Sequence, residues 1–70
     1  MSKVDLVLEL LGDGGWHEIT ELQQSLTLDE REVQEILAFL GTYELAEVDA
    51  EKGRVRISRD FQKLLNLNVF

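Results

Sequence analysis

Seventy residues and a formal net charge of −7 allow one domain, residues 1–70, with one small core. With no cysteine and a single histidine, His17, disulfides and thiolate metal sites are excluded, and a zinc site would need carboxylates for its remaining ligands. A composition of 44% hydrophobic and 30% charged residues is that of a folded globular chain rather than a disordered one.

Ser2 is placed to cap a first helix, with Asp5 near its positive end. Val4, Val7, Leu8 and Leu11 fall on one apolar stripe at helical spacing. Leu6 and Leu10 lie nearly opposite that stripe at about 100° per residue, which gives this helix a second apolar face. The glycine-rich run GDGG, residues 12–15, stops the helix. It is not a phosphate loop, because no Lys-Ser or Lys-Thr follows it. Residues 16–19, WHEI, read as a short strand in which Trp16 and Ile19 are core residues. Thr20 opens a second helix through a Thr-x-x-Gln capping box with Gln23, and Leu22 and Leu26 face inward.

Asp29 caps a third helix and Glu32 completes its capping box. Val33, Ile36, Leu37 and Leu40 form its core stripe, and Tyr43 and Leu45 close it. Gly41 weakens the last turn by about 1 kcal/mol relative to alanine. Residues 46–49 and 54–58 then read as the arms of a β-hairpin whose turn, residues 50–53, takes its left-handed residue from Gly53. Val55 and Ile57 alternate with Arg54, Arg56 and Ser58, so one face of that arm is buried and the other basic. Ser58 caps a final helix through Leu65, with Phe61, Leu64 and Leu65 inward, before the apolar tail NLNVF.

Charge divides along the chain. Residues 1–51 carry thirteen acids and two bases, a sum of −11, and residues 52–70 carry five bases and one acid, a sum of +4. That division is consistent with solvated surface or with two working faces of opposite sign. No apolar run approaches the ~20 residues that a membrane span needs, and the N-terminus lacks a signal-peptide pattern, so a cytoplasmic protein is expected. A core of this size supplies only about 3–5 kcal/mol of net stability, and oligomerisation is the remaining means of adding to it.

The order helix, strand, helix, helix, strand, strand, helix, carried by ITELQQSLTLDEREVQEILAFLGTYELAEVD followed by KGRVRIS, resembles the winged helix-turn-helix proteins of the prokaryotic and archaeal transcription-regulator type. The resemblance spans nearly the whole chain. It implies a small α+β fold with a three-helix core, a β-hairpin wing and a short C-terminal helix. It also implies that the third helix occupies the DNA-reading position. Where that family opens the third helix with Gly-Leu-Ser and ends it with Gly-Leu-Val, this chain has Thr27-Leu28-Asp29 and Glu44-Leu45-Ala46. On the outward face, where DNA-binding members carry basic or small polar residues, it has Glu30, Glu35, Ala38 and Phe39.

Phosphate contacts dominate DNA affinity and need Lys or Arg. Only Arg31 and Gln34 on the third helix can meet a base edge or phosphate, while Lys52, Arg54 and Arg56 on the hairpin could touch phosphates or enter a minor groove. The bland alternative for the hairpin is an edge strand protected by charge. Protein association is the leading expectation. Ala38 and Phe39 on the third helix, Leu6 and Leu10 on the first and Phe70 in the tail are the interface candidates, in a homodimer or in a complex with a larger regulatory protein. The alternative is a regulator that binds DNA through helix and wing together. An enzyme is not expected, and no cofactor, metal or small-molecule substrate is implied, because the chain holds no phosphate loop, cysteine nucleophile or metal-spaced cluster.

Overall fold

In the computed structural model, which describes the backbone of residues 2–67 and the side chains through Leu64, the chain is a small α+β domain of four helices and a three-stranded antiparallel sheet. The order is α1 (Lys3–Leu10), a 3-10 turn (Leu11–Asp13), β1 (His17–Glu18), α2 (Ile19–Leu26), α3 (Glu30–Thr42), β2 (Ala46–Asp49), β3 (Arg54–Ile57) and α4 (Arg59–Leu67). The sheet order is β1-β3-β2, so the two-residue strand pairs with the far arm of the hairpin.

The helix starts are set by side-chain caps at three of four sites. Ser2 Oγ accepts from Asp5 N–H at 3.2 Å, and Ser58 Oγ accepts from Phe61 N–H at 3.1 Å. At α3 the capping box is complete: Asp29 accepts from Glu32 N–H at 2.7 Å and Glu32 accepts from Asp29 N–H at 3.2 Å. The fourth start departs from the expectation. The helix α2 begins at Ile19, not Thr20, with Glu18 in the cap position and no side-chain cap bond. Ile19 N–H donates to Gly53 O at 2.9 Å, so the hairpin turn satisfies the first free N–H of α2.

Ten of the described side chains form the core: Val7, Leu11, Leu22, Leu28, Val33, Ile36, Leu40, Ala46, Val55 and Ile57. They come from α1–α3, the 3-10 turn (Leu11), the α2–α3 connection (Leu28) and the inner face of the sheet, and Val4, Leu8, Ile19, Leu26, Leu37, Leu45 and Phe61 pack around them. Two expected positions change. Leu10, assigned to a second apolar face of α1, packs against the core, because it is the last residue before the chain tightens into the 3-10 turn. Leu64, expected inward, is 57% exposed. The final helix extends to Leu67 rather than Leu65. The side chain of Leu65 and the tail with Phe70 lie outside the described residues.

Two of the described residues other than glycine adopt left-handed backbone, Thr27 at φ 52° and Glu44 at φ 57°. Thr27 follows α2, where Leu28 N–H closes the helix end on Gln23 O at 2.9 Å. Glu44 follows α3, where Leu45 N–H bonds Leu40 O at 2.8 Å. Both are helix C-terminal turns of the kind that usually carries glycine.

Candidate functional site

Three surfaces carry the residues singled out from the sequence. The first is the outer face of the sheet. Residues directly opposite in an antiparallel ladder point to the same side, so the pairs Glu18↔Arg54, Asp49↔Arg54 and Glu47↔Arg56 share one face. Arg56 donates through two nitrogens to the Glu47 carboxylate, at 3.1 and 3.3 Å. Arg54 Nε lies 3.5 Å from Asp49 Oδ2, an ion-pair distance without hydrogen-bond geometry, and that buried nitrogen has no hydrogen-bond partner among the described residues.

Trp16, expected in the core, belongs to this outer face and is 38% exposed. The guanidinium groups of Arg54 and Arg56 lie over its ring at 4.3 and 4.4 Å. The reason is alternation: with His17 opposite the fully buried Val55, the residues on either side of His17 must point outward. The indole therefore meets the charge of the two arginines with its π-face. The predicted basic face exists, but Glu18, Glu47 and Asp49 stand beside its two arginines. Lys52, at the hairpin turn, donates its backbone N–H to Asp49 at 3.2 Å.

The second surface is the outward side of α3. Arg31, Glu35, Phe39 and Tyr43 follow one another at four-residue spacing along it. Arg31 Nε is 3.3 Å from Glu35 Oε1, so the only base on this helix is engaged by its neighbour one turn on. Gln34 donates to Glu30 at 3.2 Å. The two residues with base-reading chemistry are thus both turned onto acids of their own helix. Further along, Phe39 is 44% and Tyr43 64% exposed, with ring centroids 4.9 Å apart and planes tilted by 51°. Ala38 is exposed beside them. Tyr43 as a member of this patch was missed in the sequence, where its place at the helix end made it a closing residue.

The third surface surrounds His17. Its Nε2 lies 2.9 Å from Asp13 Oδ1 and its Nδ1 lies 3.2 Å from Glu21 Oε1. A neutral imidazole can donate from only one nitrogen, so facing a carboxylate with both favours the doubly protonated ring. The Asp13 contact raises the His17 pKa above its ordinary value, against a smaller opposing effect of burial. The same bond, helped by Gly15 N–H, lowers the Asp13 pKa. The two carboxylates lie on opposite ring nitrogens, so they cannot close around one metal ion, and no cluster of three metal-binding residues occurs among the described residues. The trio links the 3-10 turn, β1 and α2.

Leu6 is half-buried on α1. No described helix is long and apolar enough to cross a membrane. Compared with known proteins, the chain matches no family model, no curated protein and no solved structure.

Proposed function

We propose that the chain is a small winged-helix domain of the transcription-regulator type, acting in the cytoplasm, that works chiefly through protein contacts made by α3. Its partner is a second copy or a larger regulatory protein. The fold reading is supported by element order, by β1 pairing with β3, and by left-handed backbone at Thr27 and Glu44, where the winged-helix pattern carries glycine. The observation that carries the functional reading is the state of the outward face of α3. Its base is held by Glu35, its amide by Glu30, and its exposed remainder is Ala38, Phe39 and Tyr43. Duplex DNA would meet more acid than base there, which opposes the phosphate contacts that binding needs.

DNA binding through α3 and the hairpin together is the second reading. It is favoured by Lys52 at the hairpin turn and by Arg59 and Lys63 on the following α4, which have no ion-pair partner among the described residues. Titration with random duplex DNA separates the two. The protein-contact reading expects weak binding at low salt that vanishes at physiological salt. It also expects no change in salt slope on replacing Arg54 and Arg56 by alanine, since both arginines already face acids. Tight binding at physiological salt, with a slope reduced by about 3 when Lys52, Arg59 and Lys63 are replaced by alanine, would establish the DNA reading instead.

A further inference from the structure

We infer that the Phe39–Tyr43 face of α3 docks a basic, arginine-bearing amphipathic segment of a partner protein. This rests on the reading of α3 as a protein-contact helix and names what it contacts. The face combines two exposed aromatic rings with acid. The outward charges of α3 and the residue beyond its end are Glu30, Arg31, Glu35 and Glu44, three acids against one base, and Glu32 is already held by Lys3. Apolar side chains on the occupant would cover Ala38 and Phe39. Its cations would meet the ring faces and the surplus carboxylates.

The molecule contains a filled version of the same arrangement. On the outer face of the sheet one aromatic ring, Trp16, and the carboxylates of Glu47 and Asp49 hold two guanidinium groups. The α3 face has the ring and the acid, but its single guanidinium, that of Arg31, lies two turns away from Phe39 against Glu35. Charge also selects among occupants. A second copy brings another net −7 and another acidic α3, whereas a basic segment is drawn in at long range.

The test is an amide chemical-shift titration of the labelled protein with a synthetic amphipathic peptide of about four helical turns, leucine on one face and arginine flanking it. A matched peptide with glutamate in place of arginine is the control. The expected result is saturable shifts centred on residues 35–44 at peptide concentrations below about 1 mM, absent with the glutamate peptide. The Phe39→Ala, Tyr43→Ala double variant should bind roughly tenfold more weakly while melting at nearly the same temperature, because both rings are exposed. Phe39→Leu, which keeps apolar bulk and removes the ring face, should also weaken binding. No shifts, shifts spread over the acidic half of the chain without saturation, or shifts unchanged in both variants would overturn the inference. Those outcomes leave the protein-contact reading standing so long as DNA binding stays weak. Tight DNA binding would remove both.

Discussion

Thr27 and Glu44 are where single residues oppose the backbone they sit in. A left-handed conformation brings Cβ against the following carbonyl and costs about 1–2 kcal/mol for an L-residue, more for a β-branched one. Glycine avoids that cost but adds about 0.5–1 kcal/mol of unfolded-state entropy. Thr27 is exposed and makes no side-chain hydrogen bond among the described residues, so nothing is lost with its side chain. Thr27→Gly should therefore stabilise the fold by up to about 1 kcal/mol, and Glu44→Gly by somewhat less. For a domain of this size 1 kcal/mol corresponds to roughly 4–8 °C in Tm, readable in a thermal melt. A lower Tm for both variants would show that these turns are not left-handed in solution. The sequence marked both positions as departures from a glycine pattern, and what it could not show was that the backbone keeps the glycine geometry without the glycine.

Elements were legible in proportion to how local their causes are. The third helix needs only its own residues: Asp29 and Glu32 cap it, and the stripe Val33, Ile36, Leu37, Leu40 turns it inward. The hairpin needs only alternation and Gly53, which has φ 65°. Trp16 and the start of α2 were misread because their partners are distant in the chain, Arg54 and Arg56 for the ring and Gly53 O for Ile19 N–H. The His17 contacts reach only four residues to either side, but spacing alone did not reveal them. They depend on a 3-10 turn and a helix converging on one imidazole, and they carry a pH signature. A histidine pKa raised on folding contributes stability that is full below the unfolded value of about 6.5 and is lost as pH rises through the folded value. Asp13, lowered on folding, contributes above the unfolded carboxylate value of about 3.9 and loses that contribution as pH falls. The pair is thus most stabilising between those limits. His17→Gln should lower Tm by a few degrees near pH 5.5, with the gap to the parent protein closing toward pH 9. A gap independent of pH would mean that His17 acts through packing alone.

At the scale of the whole molecule, charge separates the candidate interactions by the sign of their salt dependence. Each chain carries −7, so two copies repel until ions screen them, over a Debye length of about 30 Å at 10 mM salt and 10 Å at 100 mM. Association of two copies through Ala38, Phe39 and Tyr43 is apolar at its centre and acid at its rim, and added salt should strengthen it. Binding of DNA or of a basic segment works the other way, because salt weakens attraction between opposite charges. Sedimentation at about 10 mM salt should therefore give a monomer. Any dimer should appear only as salt rises to several hundred millimolar, and Phe39→Ala should abolish it. A dimer that forms at low salt and dissociates as salt is added would mean that the acidic face of one copy pairs with exposed bases such as Arg59 and Lys63 of another. The long-range repulsion of the net charge would then have been overcome by local complementarity between the −11 and +4 portions of the chain.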